Sequence, residues 1–281
     1  MINKERADVS LVRRGLSQSR EKAQAMIMAG EVYVGEKKVK KPSEMIGYED
    51  ALTVRSSSER FVSRGAYKLE KAVDVFHADL KDRVVMDIGA STGGFTDICL
   101  RNGAKHVYAI DVGYGQLDWK LRNDPRVSVM ERTNARFLKK EMFPFIPDVA
   151  VMDVSFISIR LILPVAFRIM GESGKMYTLI KPQFEAGREK IGKNGVVRSA
   201  LTHEEVLNGI VLFSDSIGLH VSKLDYSPIT GPEGNIEFLA EIIPKCERAH
   251  LIGEEEIHSV VSDAHRHLFT VEKHEEKPNP S

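Results

Sequence analysis

Two groups of residues in this 281-residue chain could do chemistry: lysines and carboxylates at the ends of apolar runs, and a glycine-rich loop. Lys181 ends one apolar run, in Leu179-Ile180-Lys181-Pro182-Gln183-Phe184-Glu185. An ammonium group avoids such a place unless it is used there. Asp153 ends another, in Val151-Met152-Asp153-Val154-Ser155-Phe156. A lysine beside a second cation and partly desolvated becomes easier to deprotonate, and the neutral amine can take a proton from a hydroxyl. Lys68 is the candidate second cation, and Glu237 can balance the charge and fix the lysine's direction. Ordinary salt bridges are the competing account of these four residues.

The glycine loop follows Val84-Val85-Met86-Asp87-Ile88 and reads Gly89-Ala90-Ser91-Thr92-Gly93-Gly94-Phe95-Thr96. The next apolar run ends in Asp111. Glycines let backbone approach a ligand at the carboxyl edge of a first strand, and an acidic residue at the end of the second can accept both hydroxyls of a ribose. Three ligand classes use such a loop. A dinucleotide fingerprint needs glycine where Ser91 stands, and a phosphate-binding P-loop needs lysine where Phe95 stands. The remaining class binds S-adenosylmethionine, and its Asp-x-Gly-x-x-x-Gly pattern is met by Asp87, Gly89 and Gly93. The expected cofactor set is therefore Asp87, Gly89, Ala90, Ser91, Thr92, Gly93, Gly94, Phe95 and Asp111, with Asn134 toward the adenine and Asp153 at the shared edge.

The residues around Asp153 narrow the methyl acceptor. Amino-group methyltransferases carry two prolines where Val154-Ser155 stands. Carbon methylation of pyrimidines usually needs a thiolate. Cys99 falls mid-helix and Cys246 beyond the last strand, so neither is placed for it. A hydroxyl acceptor fits best.

A frame must position these groups. Helical spacing over 66–76 precedes apolar runs at 84–88, 107–110, 127–130, 149–152, 176–180, 221–224 and 236–243. Amphipathic stretches at 159–170 and 204–217 lie between them. The pattern predicts an α/β fold, a seven-stranded and mostly parallel sheet covered on both faces. Residues 226–235 hold two prolines and two glycines and leave no room for a crossover helix, so the last strand should run antiparallel. Ahead of this lies a small α+β unit. It has helices stopping at Gly15 and Gly30, with Ser17 or Ser19 as a cap, then short strands around 32–34 and 39 with a turn at Gly35-Glu36. Residues 55–64 read as a linker, 254–269 as a last helix, and the end of the chain as a polar tail.

Composition sets outer bounds. Hydrophobic residues make up 42% and charged residues 28%, as in ordinary soluble proteins. No apolar run reaches membrane-spanning length and no signal-peptide core is visible, so a cytoplasmic protein is expected. The two cysteines read as reduced core residues and no metal site is expected. Net charge is zero, yet residues 1–42 hold ten basic side chains against five acidic. Arg6, Arg13, Arg14, Arg20, Lys22, Lys37, Lys38, Lys40 and Lys41 are the candidate polyanion contacts, a solvated surface being the plainer account.

Three motifs resemble one known family: Val62-Ser63-Arg64-Gly65-Ala66-Tyr67-Lys68-Leu69, Asp153-Val154-Ser155-Phe156-Ile157-Ser158 and Leu179-Ile180-Lys181-Pro182-Gln183-Phe184. They are similar to those of the TlyA family, bacterial rRNA 2′-O-methyltransferases often labelled hemolysins. The larger unit resembles FtsJ-type (RrmJ-like) ribose methyltransferases. The first sixty residues resemble the RNA-binding fold named after ribosomal protein S-four, through Arg6-Ala7-Asp8, Ser19-Arg20-Glu21-Lys22-Ala23 and Val39-Lys40-Lys41-Pro42-Ser43. The resemblance implies an S-four-like domain over 1–58, a linker over 59–64, the methyltransferase domain over 65–253 and a C-terminal helix and tail over 254–281. It implies a Lys-Asp-Lys-Glu tetrad on Lys68, Asp153, Lys181 and Glu237, with Lys181 as base, and ribosomal RNA or subunits as partner. Many members carry Trp where Phe61 stands. A membrane-lytic protein would need a large apolar or amphipathic surface that is not visible, and a non-catalytic RNA-binding protein would need a broken cofactor loop.

Overall fold

The computed structural model describes residues 4–17, 19–28, 31–35, 37–54, 61–246 and 252–272. Gly30, Glu36, the first six residues of the expected linker and the polar tail from 273 lie outside them. The chain divides into two compact units, Met1–Arg60 and Phe61–Ser281.

The first unit begins with β1 (Lys4–Arg6), α1 (Ala7–Arg13) and α2 (Arg20–Met28), then β2 (Val32–Val34), β3 (Lys37–Lys38), β4 (Met45–Gly47) and β5 (Leu52–Val54). Strands β3, β2 and β5 form one antiparallel sheet and β1 pairs with β4, a ribbon the apolar pattern did not announce because each strand is three residues long. Gly15 takes φ +71 just past α1, and Ser19 Oγ accepts from Lys22 N at 3.2 Å, so Ser19 is the cap of α2. Ala7, Leu11, Ala23, Ile27, Val32 and Leu52 fill the core. Asp8 is buried beside them. Arg6 holds it with two hydrogen bonds, and Gln24 and Arg20 add one each, which keeps its carboxyl well below the usual range.

The second unit is a seven-stranded sheet with helices on both faces. Its elements are α3 (Ala66–Phe76), β6 (Val84–Ile88), α4 (Gly94–Arg101), β7 (His106–Ile110), α5 (Trp119–Arg122), β8 (Val127–Met130), β9 (Val149–Met152), α6 (Leu163–Met170), β10 (Lys175–Ile180), α7 (Pro182–Glu185), α8 (Ala200–Ser216), β11 (Leu219–Tyr226), β12 (Phe238–Pro244) and α9 (Glu254–Glu272). The order is β11-β12-β10-β9-β6-β7-β8, and β12 runs antiparallel to both neighbours. Side chains alternate across each strand. Met86, Ile88, Met176, Ile180, Phe238 and Ala240 face a core completed by α6, α8 and α9, while Val85, Tyr177, Leu179 and Leu239 face α3 and α4.

Two expectations are corrected. The stretch 159–170 is not one helix: a 3-10 turn over Ile159–Leu161 precedes α6, whose first turn holds Pro164, a residue without an N–H to bond the turn before it. Cys99 is a core residue, but Cys246 is exposed, because β12 ends at Pro244 and the chain leaves the sheet.

His203 on α8 is fully buried. Its Nε2 lies 3.2 Å from Val197 O and its Nδ1 2.9 Å from His265 Nε2 on α9. The carbonyl can only accept, so Nε2 donates, and in the neutral ring Nδ1 then accepts from His265. Burial, with His265 adding to it, lowers the His203 pKa to about 4. The unfolded imidazole binds its proton near 6.5, the folded one only near 4, so stability falls as pH drops through that window, by about 3 kcal/mol at most. Denaturant midpoints measured at pH 7 and pH 4.5 should show this loss, and His203→Gln should flatten it.

Candidate active site

The carboxyl edge of the parallel strands gathers the expected residues. The loop after β6 turns back at Gly89, whose φ is +87; a Cβ there would stand 2.6 Å from the Asp153 carbonyl oxygen. A Cβ on Gly94 would stand 2.4 Å from Ser63 Oγ and 2.8 Å from Ala66 N. These glycines let three protein segments converge, a requirement separate from ligand approach.

Asp111 ties the loop to the next strand. Its Oδ2 accepts from Ser91 N at 2.8 Å and its Oδ1 from Gly113 N at 2.7 Å. Each oxygen keeps a further lone pair. A cavity of about 510 Å3 opens here, lined by Gly89, Ser91, Asp111, Asn134, Asp153 and Phe156 among others. Asp87, Ala90, Thr92, Gly93, Gly94 and Phe95 do not line it. Asp87 stands behind the wall, fully buried: Thr96 Oγ1 donates to its Oδ2 at 2.6 Å, and its Oδ1 has no partner. Burial pushes its carboxyl up to about 7.

The four charged residues form a chain of alternating sign. Lys68 lies on the buried stripe of α3 with Ala72 and Phe76, four residues apart. Its Nζ is 2.6 Å from Glu237 Oε2 and 3.6 Å from Asp153 Oδ2. Burial disfavours the Lys68 charge, but the two carboxylates outweigh it and its pKa is raised. On the other side of Asp153, Oδ1 lies 2.5 Å from Lys181 Nζ, which donates to Ser155 Oγ at 2.9 Å. Asp153 is thus shared between the lysines. The expected pressure of one cation on the other meets a carboxylate in between. Lys181 is extended, as a residue before proline must be, and Pro182 opens α7.

Sequence reasoning missed the parts that hold this set in place. Glu185, at the far end of α7, accepts from Ser158 Oγ at 2.7 Å and Ile159 N at 2.8 Å, clamping the loop after β9 to the loop after β10. Ser155 supplies the hydroxyl beside Lys181. Phe156 has φ +62 and is 92% exposed, with Phe184 at a 5.3 Å centroid distance. A lone Glu, Ser or Phe in a loop carries no spacing by which to find it.

Of the candidate polyanion contacts, the first unit uses four internally. Arg6 and Arg20 hold Asp8, Arg13 pairs with Glu5 at 2.7 Å, and Arg14 donates to the carbonyls of Gly47, Tyr48 and Asp50. Lys22, Lys37, Lys38, Lys40 and Lys41 are exposed.

The FtsJ-like methyltransferase family matches residues 61–241, the whole of this edge. The chain belongs to that family. The S4 domain matches residues 5–52 of this FtsJ-like chain. The Bacillus subtilis protein YqxC, provisionally named an rRNA methyltransferase, is 50% identical over 268 residues, covering 94% of this chain and 95% of the relative. The 16S/23S rRNA (cytidine-2′-O)-methyltransferase TlyA of Mycobacterium tuberculosis is 41% identical over 266 residues, covering 94% and 99%. A solved Streptococcus thermophilus protein, provisionally labelled a hemolysin, superposes with a TM-score of 0.76 at 45% identity, over 97% of this chain and all of that one. Among the described residues, no helix is long and apolar enough to cross a membrane.

Gly89→Ala should lower stability by about 1–3 kcal/mol and displace the Asp153 carbonyl, since strain at φ +87 adds to a clash. Gly115→Ala, at φ +71 with open space around it, carries strain alone. Thermal melts should show the first variant falling further than the second; equal losses would remove the close approach as a cause.

Proposed function

We propose that this chain transfers a methyl group from S-adenosylmethionine to a ribose 2′-oxygen of ribosomal RNA. The observation that carries the reading is the Lys181–Asp153–Lys68–Glu237 chain, whose Asp153 lines a cavity fit for a nucleoside. A volume of about 510 Å3 falls within the range of small-molecule sites. Asp111 offers acceptors for ribose hydroxyls, Asn134 faces the same space, and Ile110, Ala135 and Ile162 provide apolar walls for an adenine ring. When bound, S-adenosylmethionine supplies an electrophilic methyl group.

The chain's own work is alignment and proton removal. As the 2′-oxygen gains the methyl group its proton must leave, and Lys181 Nζ, entering as the neutral amine, receives it. Asp153 and Ser155 fix the direction of that nitrogen, and Lys68 with Glu237 fixes Asp153. Phe156, held exposed in a left-handed conformation at the cavity rim, offers a ring face on which a base could stack. The first unit would hold the RNA through Lys37, Lys38, Lys40 and Lys41, which leaves Arg6, Arg13, Arg14 and Arg20 to its own fold. A ribosomal substrate places the reaction in the cytoplasm.

Lys181→Ala and Lys181→Arg should both keep cofactor affinity and lose about 10²–10⁴-fold in single-turnover methyl transfer to ribosomal subunits. Guanidinium stays protonated, so a Lys181→Arg rate near wild type would reduce Lys181 to a phosphate anchor. Replacing Lys37, Lys38, Lys40 and Lys41 by Ala should weaken subunit binding and flatten its salt dependence, while Arg6→Ala should mainly lower the melting temperature. The opposite pattern in binding assays and melts would reverse this division of labour.

A further inference from the structure

Many cations of the methyltransferase unit pair with carboxylates, among them Arg83 with Asp79, Arg101 with Asp97, Arg126 with Asp124, Lys71 with Asp225 and Lys190 with Glu205. Among those that do not, four gather in one place. A second cavity, of about 500 Å3, is lined by Arg136, Phe137, Lys139, Lys140, Glu141 and Arg168. Among the described residues, the side chains of Lys139, Lys140 and Arg168 make no hydrogen bond and no ion pair. Among the described residues the Arg136 side chain hydrogen-bonds only to Asn134, at 3.3 Å, and its guanidinium lies 5.3 Å from the Phe137 ring centre. Glu141 is the one carboxylate against four cations in this lining.

Like charges collected in a concave wall raise the local positive potential and repel one another, an arrangement that favours an anionic partner. An anion that also carries rings suits this wall best, because Phe137 is 69% exposed within the same lining. An aromatic face beside unpaired cations is how single-stranded nucleic acid is held without reading its sequence. The position fits as well, since Arg136 lines both this groove and the reaction cavity. We propose that the groove holds the RNA strand continuing from the methylated nucleotide. Lys139, Lys140 and Arg168 neutralise its phosphates, and Phe137 stacks one of its bases. This rests on the reading of the neighbouring cavity as an RNA ribose methylation site. It gives the methyltransferase unit a hold on RNA of its own, separate from the S4 domain.

The test uses the full-length chain with protein-free ribosomal RNA and with intact subunits, measuring equilibrium binding against salt and methyl transfer separately. The triple variant Lys139→Ala, Lys140→Ala, Arg168→Ala should reduce the salt slope for protein-free RNA by about 2, at roughly 0.7 per lost single-strand phosphate contact, and raise KM for RNA about tenfold or more. Its kcat and S-adenosylmethionine affinity should stay at wild-type values. Lys139→Arg, Lys140→Arg, Arg168→Lys should restore both slope and KM, and Phe137→Ala should raise KM with the slope unchanged. An unchanged slope in the alanine variant overturns the proposal, and so does a conservative variant as weak as the alanine one. A defect seen on subunits but not on protein-free RNA means that the groove meets a ribosomal protein, which also overturns it. Failure of the wild type to methylate RNA would remove the parent reading alone, because the salt slope reports on the groove without turnover.

Discussion

Lys68 and Glu237 meet at 2.6 Å where neither is open to water. A buried ion without a partner is costly, and removing one member of such a pair typically costs about 3–5 kcal/mol. The pair therefore constrains every segment that brings a charge to it: α3, the turn into β12, the end of β9 and the end of β10. With all four groups ionised, charge alternates along the set and sums to zero, which is the arrangement that lets four ionic groups share one sheet edge. The fold and the proposed chemistry thus draw on the same contacts.

Bringing four segments so close demands small residues at the crossings. Gly89 stands against the Asp153 carbonyl, Gly94 against Ser63 and Ala66, and Gly231 against Glu237, where a Cβ would lie 2.7 Å from Oε1. Glu185 supplies the complementary constraint from outside by binding the loop that carries Ser155 and Phe156 to the segment that carries Lys181. Burial raises the Glu185 carboxyl's pKa, while its donors, Ser158 and Ile159, hold the charged form. The candidate edge is thus a set of loops pinned at both ends, not a rigid surface with side chains laid on it.

How much of this could be seen in the sequence follows from where the signal resides. The strands carry continuous apolar runs because both faces of a mostly parallel sheet are covered, and those runs placed Val84–Ile88 and Val127–Met130 at their observed bounds. Asp153 and Lys181 were visible because a charge at the end of such a run is conspicuous. The spacing could not show that Asp153 would separate the two lysines, since that depends on how α3 approaches across the sheet. The glycine loop was legible as a pattern, while the packing of Gly93 and Gly94 against protein, away from the cavity lining, was not. Short strands such as Lys4–Arg6 and single loop residues such as Glu185 left no periodic trace.

A count of cations says little about where a polyanion would bind, and the structure gives the physical reason. A guanidinium presents several donors in a fixed plane and suits lasting geometry; Arg6 places two parallel bonds on Asp8, and Arg14 spans three carbonyls. Guanidinium groups used this way are held in place by the fold, although Asp8 offsets only one of the two charges of Arg6 and Arg20 and the carbonyls offset none of Arg14's. A lysine is a mobile point charge, and those at 37, 38, 40 and 41 stay exposed with no ion pair among the described residues. The basic head of the chain is therefore two populations with opposite roles, one that holds the unit together and one left free to meet a polyanion. The same distinction separates Arg83, Arg101 and Arg126 from the cations around Phe137 in the methyltransferase unit. Net charge, zero for this protein, averages over both populations, so the informative quantity is the position of the cations that the fold has left unpaired.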